Sequence, residues 1–103
     1  RDGFHHSMAL VEMDEPQLDH VCFHVTDFDE LMKIRCRINE QGGVECTPLY
    51  HHGGSYSRSY YFVDPHTGAQ FEFCQSHRRI SAPDYAPKVL PASPKTFDMW
   101  KDY

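Results

Sequence analysis

The sequence has no apolar run near the ~20 residues that a membrane-spanning helix requires, so no membrane association is expected. Its start, Arg1-Asp2-Gly3-Phe4-His5-His6, has no apolar stretch of the kind a secretory signal carries. Positive charge is also scarce. Ten Lys and Arg stand against fifteen Asp and Glu, for a net charge of -5, and there is no basic cluster beyond Arg78-Arg79. A nucleic-acid surface needs cations that displace counterions, so no nucleic-acid partner is expected. None of the four cysteines (Cys22, Cys36, Cys46 and Cys74) forms a C-x-x-C pair, which removes the strong zinc signature. At 103 residues a disulfide framework is not needed either, so reduced thiols and a cytoplasmic location are expected. No internal repeat is visible.

What is present is a globular composition, 40% apolar, of a size for one domain. A chain this long can bury about two thirds of its surface, which allows a modest core. Histidine is the unusual residue: there are eight, including the adjacent pairs His5-His6 and His51-His52. A tag remnant is one reading of His5-His6, although two histidines followed by Ser-Met-Ala-Leu match one poorly.

Periodicity orders the chain. His6 to Glu12 reads as a short strand, followed by turn chemistry at Asp14-Glu15-Pro16. Asp19 to Thr26 alternates, with His20, Cys22 and His24 on one face and Val21, Phe23 and Val25 on the other. Thr26 or Asp27 can cap a helix whose buried stripe is Leu31, Ile34 and Ile38, with Gly42-Gly43 as its stop. Val44 to Tyr50 is a strand interrupted by Pro48, and His51 to Ser55 is a loop. Ser57 to Val63 and Ala69 to Cys74 are strands on either side of the turn Asp64-Pro65-His66-Thr67-Gly68. In the last strand Gln70, Glu72 and Cys74 share a face opposite Phe71 and Phe73. After Ser81, Pro83, Pro87, Pro91 and Pro94 predict an extended tail ending in a short aromatic segment around Phe97 and Trp100.

The expected class is therefore α+β: a βαβββ module over residues 18–75, preceded by a strand in residues 1–12 and followed by the tail, residues 76–103. If the apolar faces meet the helix, His20 and Glu72 point into one concave side. An imidazole and a carboxylate converging in a cleft suit a divalent metal, and a facial set of two histidines and one carboxylate favours Fe(II) oxygen chemistry. Periodicity alone does not choose among the remaining imidazoles.

The stretch Leu18 to Val25, the helix after it, and Tyr61-Phe62-Val63-Asp64-Pro65-His66-Thr67-Gly68-Ala69-Gln70-Phe71-Glu72-Phe73 resemble one module of the vicinal-oxygen-chelate (glyoxalase/dioxygenase) superfamily. Within it, His6-Ser7-Met8-Ala9-Leu10 is similar to the strand that precedes the last module of extradiol ring-cleaving dioxygenases. The resemblance implies His20 and Glu72 as metal ligands, His6 as an acid/base, and His52 and Tyr61 as catalytic hydrogen-bonding groups. It implies Fe(II) or Mn(II) as the metal, and a small aromatic diol and O2 as substrates. It also implies that residues 1–12 hold the last strand of a preceding module. The chain departs from the pattern twice. The other metal histidine of the family lies in that preceding module, and the segment from Pro65 to Glu72 is one residue longer than its commonest form.

A lone module leaves a sheet edge open, so a homo-oligomer or a longer two-module chain is expected. Two other functions fit the same residues: a glyoxalase-fold protein that binds a small molecule without turnover, and an isomerase or lyase using Ni, Zn or Mn. Outside the five singled-out residues, Cys22 and His24 read as cavity lining. His66 and His77 read as solvated turn and tail residues.

Overall fold

Strand pairing follows the alternation in the sequence. The structure, a computed structural model, describes residues 3–83 and 85–101. Strand β1 (Val21–Val25) leads into helix α1 (Phe28–Asn39), and β2 (Tyr50–His51), β3 (Arg58–Val63) and β4 (Gln70–Gln75) follow. The sheet order is β1-β4-β3-β2. β1 runs parallel to β4, and the other pairs are antiparallel. This is the expected βαβββ module, with β1 at one edge.

Local chemistry explains the boundaries. Asp27 caps α1 from an extended backbone (φ -123°, ψ 137°), its carboxylate accepting the Glu30 N–H at 3.0 Å. Asp29 and Glu30 place negative charge at the positive end of the helix. The helix stops at Asn39, with Glu40 as cap, before the glycine pair. Gly43 then turns the chain in the left-handed region (φ +82°), which glycine adopts without penalty. The turn between β3 and β4 closes through Gly68 N–H to the Asp64 carbonyl (2.8 Å). The Asp64 carboxylate also accepts from the Thr67 amide and hydroxyl.

The core lies between α1 and the sheet. Leu31, Cys46 and Tyr60 are buried, and Val25, Ile38, Leu49, Phe62 and Phe73 pack around them. The Tyr60 hydroxyl donates to the Leu31 carbonyl at 3.1 Å, satisfying both buried groups. Phe62 stacks on Phe71 and Phe73, with centroids 5.6 and 6.1 Å apart, and Phe23 lies over the same pair. The apolar face thus turns to the helix, which frees the opposite face for polar side chains. Ile34, expected in the stripe, is half-buried.

Three expectations are corrected. His6 to Glu12 forms no strand: it is exposed, and the nearby pairing is one bridge between Phe4 and Arg79. Alternation alone does not hold a strand that lacks a partner's hydrogen bonds. Of residues 1–12, Arg1 and Asp2 lie outside the described residues. The strand expected over Val44 to Tyr50 shrinks to Tyr50–His51, because Pro48 has no N–H for the ladder. Thr47 still pairs across the break, donating its N–H to the Tyr61 carbonyl (2.9 Å) and accepting the Tyr61 N–H on its hydroxyl (3.0 Å). The tail is not wholly extended either. Helix α2 (Pro94–Phe97) forms one turn, followed by a 3-10 turn at Met99–Lys101. Pro94 sits in the first turn, where its missing N–H costs nothing, and the Ser93 hydroxyl accepts the Thr96 N–H.

Candidate metal centre

Register sets the site. Glu72 on β4 lies between Cys22 on β1 and Tyr61 on β3. Since all three share the face turned away from α1, their side chains form one row. His20 precedes β1 on that face, and its Nε2 lies 3.1 Å from Glu72 Oε2. His52 follows β2, and its Nε2 lies 3.7 Å from Glu72 Oε1. The Glu72 side chain is only 9% exposed. A buried carboxylate is costly unless compensated, and the geometry brings these two imidazoles within ion-pairing distance of Glu72.

The hydrogen bonds around His20 carry chemical information. Its Nδ1 is 2.6 Å from Asp19 Oδ2, while its Nε2 faces Glu72. Ionised carboxylates only accept. One neutral imidazole cannot donate to two ionised carboxylates, and a cation at Nε2 would satisfy this geometry without a second ring proton. A carboxylate behind one nitrogen and a metal at the other is a familiar way of orienting a ligating histidine. The donor set therefore fits a divalent ion held by His20 and Glu72. Asp19 was not singled out in the sequence; a carboxylate directly before a candidate ligand was the available signal.

His52 is fixed from the other side. Its Nδ1 donates to the Phe97 carbonyl at 2.7 Å, and its Nε2 accepts the Tyr61 hydroxyl at 2.9 Å. Burial, then the adjacent Glu72 charge, raises the Tyr61 phenol well above its ordinary range, so it remains a neutral donor. The tail that supplies Phe97 is itself anchored. Gly53 N–H donates to the Thr96 carbonyl (2.9 Å), and the His51 N–H donates to buried Asp98 (3.2 Å). A Cβ on Gly53 would lie 3.1 Å from the Thr96 oxygen and 3.2 Å from that of Lys95, so glycine permits the approach. Nothing in the sequence announced that the tail supports His52.

The thiols beside Glu72 face each other. Cys22 Sγ lies 3.2 Å from Cys74 Sγ, and both are free cysteines. The hydrogen bond to Cys74, burial and the Glu72 charge push the Cys22 thiol up, so it stays protonated.

His20, His52, Tyr61 and Glu72 are thus in mutual contact. His6 is placed elsewhere, with its Nδ1 3.0 Å from that of His5 and its ring edge-on to His77 at 4.6 Å. His77 is not the solvated tail residue expected: it is half-buried. Burial and the nearby His6, His5 and His24 lower its pKa to about 4, while the Glu72 charge opposes that shift. The two histidine groups therefore lie within electrostatic reach of each other. His24 is exposed on β1, with its ring 5.4 Å from Phe4, and His66 is exposed in its turn.

No helix among the described residues is long and apolar enough to cross a membrane. Comparison with protein-family models gave no match, and comparison with curated proteins gave none. Among solved structures, the Mn(II)-bound glyoxalase from Novosphingobium aromaticivorans superposes with a TM-score of 0.73 at 21% identity. The match covers 82% of this chain and 28% of that one, so this chain spans well under a third of its neighbour's length. At that identity the likeness is one of fold: the chain has a βαβββ arrangement like one found in that structure.

Proposed function

We propose that this chain is the metal-binding module of an Fe(II)-dependent extradiol dioxygenase, one that opens the ring of a catechol-type substrate with O2. The supporting observation is the contact network in which Glu72 faces His20 and His52 while His52 accepts from Tyr61. A sequestering pocket needs ligands but has no use for a phenol and an imidazole held in a donor–acceptor relay.

His20 and Glu72 would hold the metal, with Asp19 orienting His20. Fe(II) bound there would supply the Lewis-acid and electron-transfer chemistry that couples a catecholate to O2, and Mn(II) accepts the same ligands. The third protein ligand lies outside the residues that match the module. Tyr61 would turn its one hydroxyl proton from His52 Nε2 to a substrate oxygen at the metal side of the cleft. His52, held by the Phe97 carbonyl, keeps its Nε2 directed at the same place, so the pair can orient substrate oxygens without ligating.

The test is to reconstitute the protein with Fe(II) and a catechol under anaerobic conditions, then admit air. A yellow ring-fission product that requires both O2 and Glu72 supports the proposal. No colour, together with tight binding of the diol, would instead establish a binding protein. The Mn(II)-bound glyoxalase neighbour favours one other reading, a divalent-metal isomerase or lyase. Turnover that persists without O2 would establish that one.

The module is further proposed to work as a homo-oligomer or within a longer two-module chain. Val21 and Phe23 on the edge strand β1 are 42% and 48% exposed, an apolar surface suited to a second module. Sedimentation giving a well-folded monomer at micromolar concentration would contradict self-association.

A further inference from the structure

Three imidazoles outside the Glu72 network converge where the first segment meets the chain after β4. A short ladder holds them. His5 N–H donates to the Arg78 carbonyl (2.8 Å), Ile80 N–H donates to the Gly3 carbonyl (2.8 Å), and Phe4 bridges Arg79. These bonds bring His5 and His6 against His77. One ring nitrogen from each histidine lies within 4.8 Å of the other two. The His5 ring lies edge-on to Tyr85, and the His77 ring edge-on to Phe4, so aromatic side chains border the cluster.

Without a ligand the arrangement leaves chemistry unsatisfied. His77 Nε2 is buried and has no hydrogen-bond partner. Such an orphan is destabilising, because a buried ring nitrogen has given up its water and gained nothing in return. The two Nδ1 atoms of His5 and His6, 3.0 Å apart, tolerate one proton between them. A metal ion would use lone pairs that nothing else engages. Around a tetrahedral ion with metal–nitrogen bonds of about 2.0–2.1 Å, ligating nitrogens sit roughly 3.3 Å apart. His5 and His6 are already near that separation, and small side-chain rotations bring in His77.

We propose that His5, His6 and His77 form a second divalent-metal site, distinct from the His20–Glu72 centre, which takes a Zn(II)-like ion through three imidazole nitrogens. The set contains no carboxylate, so it selects borderline ions such as Zn(II), Cu(II) or Ni(II) over Mg(II), Ca(II) or Mn(II). His6 is exposed, which leaves the fourth position open to solvent. Arg78 lies within electrostatic reach of His5 and opposes a dication, which favours an anion in that fourth position. The guanidinium is partly engaged over the rings of Tyr56 and Tyr85. The site requires no catalytic role for His6, so it stands or falls separately from the dioxygenase reading.

The experiment is calorimetric titration of the metal-stripped chain with Zn(II), with the visible spectrum of added Co(II) reporting imidazole coordination. Zn(II) should bind at one equivalent to a His20→Ala, Glu72→Ala double variant. Its affinity should drop at least tenfold in His5→Ala and in His77→Ala, each checked for native circular dichroism. If His77→Ala does not fold, His5→Ala and His6→Ala decide the question. Zn(II) affinity unchanged in the folded histidine variants, or abolished in the double variant, overturns the site.

Discussion

Asp19 offers a sharp test of the His20–Glu72 centre, because its role is to position a ligand and not to bind the ion. Its carboxylate accepts from His20 Nδ1 at 2.6 Å, which fixes the ring and leaves Nε2 as the ligating nitrogen. Removing a carboxylate behind a ligating histidine typically weakens metal binding by about 10–100-fold. Asp19 is 67% exposed, so solvent screens its charge and the effect belongs at the lower end. Asp19→Ala should therefore weaken Mn(II) binding, followed by the resonance of the free ion, by about tenfold, or about 1.4 kcal/mol. Asp19→Asn keeps an acceptor oxygen and should lose less. High salt should narrow the gap between wild type and Asp19→Ala. In a His20→Ala background the Asp19 substitution should change nothing, because its effect passes through the imidazole. Equal Mn(II) affinity in wild type and Asp19→Ala would refute the reasoning, and so would an undiminished effect without His20.

On the proposed dioxygenase reading, Tyr61→Phe removes the hydroxyl bonded to His52, and ring-cleavage kcat should fall by about 10²–10³ while Mn(II) affinity stays near wild type, as steady-state kinetics and titration would show. Leu31→Ala empties the centre of the core and should cost about 2–5 kcal/mol of unfolding free energy in urea titrations. Acid should destabilise the metal-stripped chain through His77. Its folded pKa, about 4, lies below the ordinary 6.5, so as pH falls the unfolded chain takes up the proton first. That contribution is complete above pH 6.5 and is lost as pH falls toward 4. His77→Gln should flatten the urea midpoint across that window. Gly53→Ala forces a methyl against two backbone oxygens of the tail and should cost about 1–3 kcal/mol, read in the same titrations.

The module was legible where local and global signals agree. The alternation around β1 and β4, the Asp27 cap and the Asp64-to-Gly68 turn each depend on neighbours in sequence. The grouping of His20 with Glu72 followed from the same alternation, once the parallel pairing of β1 with β4 joins two distant segments. What was illegible depends on contacts that no local pattern encodes. His6 to Glu12 has strand composition but no strand beside it, so it stays exposed. The proline-rich tail predicted an extended run, yet it returns to β2 and supplies the carbonyl that orients His52. His77 looked solvated because it follows the last strand, and the ladder that half-buries it pairs the two ends of the domain.

The same geometry shows how a metal held by His20 and Glu72, as proposed, would be enclosed. Glu72 belongs to β4, an interior strand flanked by β1 and β3, and its carboxylate is buried. His52 and Tyr61 approach it from the β3 side, each tied to a neighbour. His20 approaches from the other side, on the edge strand, whose far edge has no partner among the described residues. An ion bound between His20 and Glu72 would thus be well enclosed on one flank and open on the other. Val21 and Phe23, on the opposite face of the same edge strand, expose apolar surface. Two unrelated deficits, one of coordination and one of burial, fall on the same strand. A second module docked along β1 would remedy both: it would cover the apolar side chains and bring a further donor to the open side of the metal. Hydrophobic burial would then drive the association, and the completed ligand set would make metal affinity depend on it.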